Sequence, residues 1–124
     1  MINQIFFYSG AFLVCAWGVA HLFPAKAVVR GFGEISPDNK RIIAMEGIVE
    51  GVTLIVIGAL IALVTAIDHG HAVAKGIYWL SFAMLNTLSI VSLFTGFRVR
   101  FLPFKLCPAI FTTASILLLL GLLA

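Results

Sequence analysis

Two glutamates stand four residues apart in an otherwise apolar stretch, RIIAMEGIVEGVTLIVIGALIALV, which runs from Arg41 to Val64. On an α-helix, Glu46 and Glu50 share one face. Placing an acid near the centre of a membrane helix costs about 2.5–3.5 kcal/mol, and such residues usually face the interior of a helix bundle. We therefore predict that both carboxylates line an intramembrane polar pocket.

The distance of each polar residue from the nearest basic residue predicts its depth and its partner. Glu46 and Glu50 follow Lys40 by six and ten residues, which places them about 9 and 15 Å further along the helix. His21 precedes Lys26 by five residues, about 7.5 Å, and so matches the depth of Glu46. We expect His21 and Glu46 to form the level of the pocket nearer to the membrane surface.

Asn86 and two further side chains complete the predicted pocket. Asn86 precedes Arg98 by twelve residues, about 18 Å, and so lies nearer the level of Glu50. Trp17 shares the helix face of the histidine, and Thr53 continues the face of the two glutamates. The predicted ligand-binding residues are therefore His21, Glu46, Glu50, Asn86, Trp17 and Thr53.

Three kinds of function are compatible with this pocket. The first, which we favour, is a protein that binds or translocates a proton, a cation or a small lipophilic molecule, because ionisable groups inside a membrane usually serve a function. The second is a membrane enzyme in which a glutamic acid transfers a proton to a lipophilic substrate, although the pattern assigns no catalytic residue. The third is a non-catalytic scaffold or complex subunit, whose polar residues only hold its helices in register.

A metal ion is a weaker alternative for the same residues. Histidine and carboxylate ligands suit zinc, manganese or iron, and the candidate ligands are His21, Glu46 and Glu50. Only one histidine has a suitable depth, and neither a His-x-x-x-His nor a Glu-x-x-His pattern occurs. Cys15 and Cys107 differ in depth, and we interpret them as small buried side chains rather than a disulfide. The sequence does not identify a cofactor.

Four apolar segments must position these residues. The chain has 124 residues, of which 62% are hydrophobic and only 10% are charged, whereas a soluble domain carries about 25% charged residues. A membrane-spanning helix needs about 20 apolar residues. Since no segment alternates with a period of two, we predict an all-α, polytopic integral membrane protein whose four helices form an antiparallel bundle of two hairpins. This single domain covers residues 1–124, with spans at about 2–23, 38–67, 74–96 and 107–124.

The distribution of basic residues predicts the orientation of the bundle. Seven of the eight Lys and Arg residues lie in or beside the loops 24–37 and 97–106, and only one lies in the loop 68–75. Because short basic loops stay in the cytoplasm, we predict that both basic loops are cytoplasmic, while the termini and the 68–75 loop face outward from a bacterial inner membrane. This pattern accounts for the net charge of +3. We therefore predict the lipid bilayer and a small molecule as partners, and no nucleic acid.

Local signals predict how the helices begin and pack. The sequence Ser-Pro-Asp at 36–38 is a typical helix start, and Pro108 is predicted to open the fourth span. Gly47, Gly51 and Gly58 form a stripe of small residues that allows a second helix to approach closely. We expect spans two and three to be the central pair. The stripe leaves open whether such a contact forms within the chain or between copies in a homo-oligomer.

Overall fold

The chain folds into five α-helices and one short 3₁₀ turn. A computed structural model describes residues 1–124, apart from the side chain of Ala25. The helices are α1 (Ile2–Leu22), α2 (Ala25–Gly31), α3 (Pro37–Asp68), α4 (Ala72–Phe94) and α5 (Leu102–Leu123), and the 3₁₀ turn is Gly96–Arg98. No β-strand occurs in this described part of the chain.

Four of these helices are long and apolar enough to cross a membrane: α1, α3, α4 together with the 3₁₀ turn, and α5. They form an antiparallel bundle in which α1 packs against α3 and α4 packs against α5. The predicted class, an all-α polytopic membrane protein built from two hairpins, is confirmed. We call the end of the bundle that carries α2 and the 3₁₀ turn the basic end, because it holds Lys26, Arg30, Lys40, Arg41, Arg98, Arg100 and Lys105.

The start of α3 is fixed by a side-chain cap. The Ser36 hydroxyl accepts a hydrogen bond from the backbone N–H of Asn39 at 3.1 Å, and Pro37 occupies the first helical position. The hydroxyl satisfies one of the free N–H groups of the first turn, and proline needs no partner there. The predicted helix start is therefore confirmed. With 32 residues, α3 is about 48 Å long, so it tilts in a membrane or extends beyond the hydrocarbon.

The fourth span begins earlier than the sequence predicted. Helix α5 starts at Leu102, with Pro103 in its first turn, and Pro108 lies inside the helix rather than at its start. An internal proline removes one backbone hydrogen bond, which membrane helices tolerate where neighbouring groups compensate. Here the carbonyl that loses its N–H partner is that of Phe104, whereas the Ser89 hydroxyl of α4 donates to the carbonyl of Pro108 itself at 3.1 Å and links α4 to α5. The predicted role of Pro108 as the helix opener is therefore wrong, and Pro103 has that role.

Helices α1 and α5 form the middle of the bundle. Helix α1 contacts both α3 and α5, and α5 contacts both α1 and α4, whereas α3 and α4 contact each other only sparsely. The expectation that the second and third spans are central is therefore wrong. The largest fully buried side chains are Tyr78, Phe111, Leu54, Ile61, Leu85, Leu118 and Val14, together with Thr65 and Ser115.

Glycines set the close approach of α1 and α3. A Cβ on Gly51 would stand 2.8 Å from the Gly18 carbonyl oxygen, and a Cβ on Gly18 would stand 2.7 Å from the Gly51 carbonyl oxygen. Gly58 lies against Ala11 in the same interface. By contrast, a Cβ on Gly47 would meet nothing within 4 Å. The stripe of small residues on α3 thus packs against α1 at two of its three glycines.

Helices α3 and α4 are held together at the end opposite the basic end. They are joined there by a short turn, and the Tyr78 hydroxyl bonds to the Thr65 hydroxyl at 2.7 Å in the buried core. The Thr65 hydroxyl itself donates to the Ile61 carbonyl at 2.6 Å, so the tyrosine is the donor of the pair. Toward the basic end the seam between the two helices opens.

Candidate functional site

The open seam between α3 and α4 forms a groove at the basic end with a volume of about 1400 Å³. Residues of α1 and α5 form its floor, and α2 and the segment after the 3₁₀ turn close its mouth. Most of its lining is apolar. It is a groove rather than a closed cavity, since the lining side chains Val49 and Val91 remain 52% and 54% exposed.

A histidine–glutamate pair crosses the floor of this groove. His21 Nε2 lies 3.5 Å from Glu50 Oε1, which joins the end of α1 to the middle of α3. The imidazole is largely buried, with 13% of its side chain exposed, whereas 45% of the Glu50 side chain is exposed into the groove. The pair therefore presents a carboxylate to any molecule that occupies the groove.

The hydrogen bonds of His21 fix which nitrogen carries a proton. His21 Nδ1 lies 2.8 Å from the Trp17 backbone carbonyl, one turn earlier on α1. A carbonyl only accepts, so Nδ1 is the protonated nitrogen and Nε2 of the neutral ring is an acceptor. A carboxylate facing that bare Nε2 would place two acceptors together. The His21–Glu50 pair is therefore stable when it shares one proton, or when a third group donates between the two.

Trp17 brings an unsatisfied donor to the same floor. Its indole Nε1 is buried and has no hydrogen-bond partner among the described residues. The indole meets the His21 ring edge-on, with the ring centroids 5.2 Å apart and the planes at 86°. A buried N–H without an acceptor costs about 1–3 kcal/mol, so this position favours a water or ligand oxygen in the groove.

Two charged residues line the groove further out. Glu46 lies one turn before Glu50 on α3 and is exposed, while Arg100 approaches from the segment between α4 and α5. Neither forms an ion pair within the described part of the chain, where the ion pairs are His21–Glu50 and Arg41–Asp38. Glu46 therefore adds a second free carboxylate to the one that Glu50 presents.

Comparison with protein-family models, with curated protein sequences and with solved structures finds no match to this chain. The arrangement of side chains in the groove is therefore the basis for a proposal of function.

Four of the six predicted ligand-binding residues line the groove: Trp17, His21, Glu46 and Glu50. Asn86 and Thr53 do not. The Asn86 amide donates to the Phe82 carbonyl of its own helix at 2.8 Å, and the exposed Thr53 hydroxyl donates to the Val49 carbonyl at 2.7 Å. Both side chains donate to a carbonyl of their own helix and lie outside the groove lining.

The two predicted levels of the pocket also differ from the structure. The sequence paired His21 with Glu46 and Asn86 with Glu50, whereas the observed partner of His21 is Glu50. The prediction assumed that Lys26 and Lys40 lie at the same depth in the membrane. The glycine contact between α1 and α3 sets a different register, in which the Cβ of His21 lies beside Gly51 and hence beside the neighbouring Glu50.

Cys107 belongs to the groove, although its sequence position suggested only a small buried side chain. The thiol Sγ lies 4.0 Å from His21 Nε2 and 3.6 Å from the Pro103 carbonyl, and the residue lines the groove floor. The position of Cys107 near the start of the fourth span indicated its depth in the bundle correctly. Which face of α5 meets α1 cannot be read from an apolar helix.

The structure offers no support for the metal alternative. Within the described residues, no three His, Cys, Asp or Glu side chains are grouped so that they could hold a metal ion. The three candidate ligands were His21, Glu46 and Glu50. Among the described residues, the imidazole forms an ion pair with Glu50 but not with Glu46. The site is better described as a histidine–glutamate pair at the floor of an apolar groove.

Proposed function

We propose that this multi-pass membrane protein binds a small lipophilic molecule in the groove between α3 and α4. The polar end of the molecule lies at the His21–Glu50 pair, within reach of Trp17 Nε1, and its hydrocarbon lies along the apolar lining. One observation carries this proposal: a groove of about 1400 Å³ with an apolar lining has unsatisfied polar atoms at its floor. Pockets for drug-sized ligands measure about 300–1,000 Å³ and combine apolar walls with a few polar groups.

The orientation forms part of the proposal. Seven of the eight Lys and Arg residues lie at the basic end, and short basic loops are retained in the cytoplasm. The groove then lies in the cytoplasmic half of a bacterial inner membrane, with both termini and the 68–75 loop outside. A molecule enters it laterally from the lipid through the open seam.

Binding is better supported than translocation. A translocated proton or cation needs a polar path between the two ends of the bundle. Beyond the groove, the buried Thr65–Tyr78 hydrogen bond and the core side chains Leu85 and Ile61 separate the two ends. The polar residues that support a ligand site are confined to the half of the bundle that contains the groove.

Acid–base chemistry on the bound molecule is a second candidate function. It is favoured by the geometry of His21, whose Nε2 faces both Glu50 and the Cys107 thiol while Nδ1 is held by a backbone carbonyl. A pair that shares one proton can donate it to a bound substrate and recover it afterwards. Consumption of a bound lipophilic molecule, rather than its unchanged release, would distinguish this function from binding.

Two glycines at which an added Cβ would meet nothing within 4 Å provide the test of groove binding. A side chain at Gly47 projects into the open groove, whereas one at Gly76 projects from α4 into open space outside the groove lining. The chain has two tryptophans, so Trp79→Phe leaves Trp17 as the only indole emitter. In phosphatidylcholine nanodiscs, hexadecanol is expected to change Trp17 emission saturably. Gly47→Phe is expected to abolish the saturable change, and Gly76→Phe to retain it.

The opposite pattern would contradict groove binding. An emission change that rises linearly with hexadecanol, and that is equal in the Gly47→Phe and Gly76→Phe variants, would indicate simple partitioning into the bilayer.

A further inference from the structure

We propose that the molecule held in the groove is a single-chain lipophilic amine, whose protonated amino group donates to Glu50 and to His21 Nε2. This inference rests on the proposed function and specifies the chemistry of its ligand. It depends on one juxtaposition. The unprotonated His21 Nε2 lies 3.5 Å from the Glu50 carboxylate, and the Glu46 carboxylate lies one helical turn away.

The groove floor offers more acceptors than donors. Its unsatisfied donor among the described residues, Trp17 Nε1, is left to a water molecule when the head group is an amine. His21 Nδ1 is committed to the Trp17 carbonyl at 2.8 Å, which leaves Nε2 as an acceptor. Glu50 adds two acceptor oxygens at the same place, and Glu46 adds two more one turn away. Among the described residues, no Lys or Arg forms an ion pair with either glutamate. An ammonium group carries three N–H donors and no acceptor, so it complements this set.

Charge favours an amine over the other head groups of single-chain lipids. A carboxylate or phosphate would bring a third negative charge close to Glu46 and Glu50. Arg100 also lines the groove but, within the described part of the chain, forms no ion pair with either glutamate, so the negative charges outnumber it. A neutral hydroxyl carries one donor and leaves at least one acceptor without a partner. Hydrogen bonds between ionised groups are roughly twice as strong as neutral ones. A protonated amine therefore binds more tightly than an alcohol in the same position.

The remainder of the groove suits a hydrocarbon chain. Away from the histidine and the glutamates, the walls are formed largely by apolar side chains of α2, α3 and α4, such as Val28, Ile43 and Leu88. Apolar contact there contributes roughly 0.8 kcal/mol for each buried CH₂ group. A chain in this position stays in contact with the bilayer through the open seam, so it needs no separate entry path.

A comparison of three 16-carbon probes tests the head-group chemistry. With Trp17 as the only tryptophan, hexadecylamine, hexadecanol and hexadecanoic acid are titrated into nanodiscs of phosphatidylcholine, which holds no primary amine. Hexadecylamine is expected to bind at least about tenfold more tightly than hexadecanol, because of its charge-assisted hydrogen bonds. Hexadecanoic acid is expected to bind most weakly.

Substitution of the carboxylate identifies the atom that selects the amine. Glu50→Gln is expected to reduce hexadecylamine binding to the level of hexadecanol binding in the same variant, and an unchanged far-ultraviolet circular dichroism spectrum shows that the bundle is intact. Glu34→Gln removes the same charge from an exposed residue outside the groove lining and is expected to change neither. Should Glu50→Gln lose hexadecanol binding as well, Glu46→Gln is the second variant, with a smaller loss of amine selectivity expected.

The outcomes separate the two proposals. Saturable hexadecanol binding without any preference for the amine, or an amine preference that survives both glutamate substitutions, would overturn the amine inference and leave the groove as a site for neutral lipids. If none of the three probes binds saturably, the proposed function itself fails.

Discussion

Replacing Gly51 by alanine should destabilise the bundle, whereas the same change at Gly47, one turn earlier on α3, should not. A Cβ at Gly51 would stand 2.8 Å from the Gly18 carbonyl oxygen, 2.7 Å from Leu22 Cδ2 and 3.2 Å from His21 Cβ. Carbon atoms in favourable contact lie about 3.5–4.0 Å apart, so α1 and α3 must move apart. A Cβ at Gly47 would meet nothing within 4 Å.

The magnitude follows from two opposing effects. Alanine is better than glycine in a helix interior by about 0.8–1.0 kcal/mol, and this gain is common to both positions. Only Gly51→Ala adds overpacking, which costs about 1–3 kcal/mol. The free energies of unfolding of the two variants are therefore expected to differ by about 1–3 kcal/mol, with Gly47→Ala at or slightly above the parent protein.

Reversible unfolding in mixed micelles, followed by far-ultraviolet circular dichroism as dodecyl sulfate is increased, measures this difference. Hexadecanol binding provides a second readout, because separating α1 from α3 also moves His21 away from Glu50. Equal stability of the Gly51→Ala and Gly47→Ala proteins would refute the glycine contact as the feature that sets the register of α1 against α3.

Further predictions concern the closed end of the seam, the start of α3 and the groove floor. Thr65→Val is expected to cost about 1–3 kcal/mol and Tyr78→Phe about 0.5–1.5 kcal/mol, because only the valine leaves a buried hydroxyl without a partner; the reverse order in the same unfolding assay would contradict the assigned donor. Ser36→Ala is expected to lower the stability of the first turn of α3 by about 1 kcal/mol, seen as faster amide hydrogen exchange in residues 38–40, and unchanged exchange would show that the cap does not hold this turn. In variants with one cysteine each, hexadecanol is expected to protect Cys107, but not Cys15, from methyl methanethiosulfonate, since only the former lines the groove, and equal protection of both thiols would argue against a ligand on the groove floor.

The number of membrane helices was predictable because the hydropathy and the length of each segment can be read from the sequence alone. Apolar segments long enough to cross a bilayer are visible without knowledge of their neighbours, and the Ser36 cap depends only on residues that follow it. The start of α5 was predicted incorrectly because two prolines compete there. Pro103 and Pro108 both suit a first turn, and the packing of α5 against α1 and α4 is not local in sequence.

The pairing within the site was not predictable because it depends on lateral packing. Residue counts gave Glu50 and His21 depths that differed by more than one helical turn, and yet the two side chains lie within 3.5 Å. The difference arises because the contact between Gly18 and Gly51 sets how far α3 is displaced along α1. Asn86 has a suitable depth, but it faces away from the groove lining because α4 packs mainly against α5.

Whether a polar side chain lines a pocket also depends on whether it can form its hydrogen bonds within its own helix. Thr53 and Asn86 both donate to carbonyls of their own helices, which allows them to lie anywhere in a bundle. Glu50 has no such local option because an ionised carboxylate only accepts. The ionisable residues were therefore the more dependable signal of which side chains line the groove, as their cost in a membrane requires.

A density map of the protein purified from membranes in nanodiscs tests the central claim most directly. Binding in the groove predicts an elongated non-protein feature between α3 and α4, whose polar end lies within hydrogen-bonding distance of His21 and Glu50. A seam closed by direct contact between α3 and α4, with those two side chains packed against protein atoms alone, would contradict it.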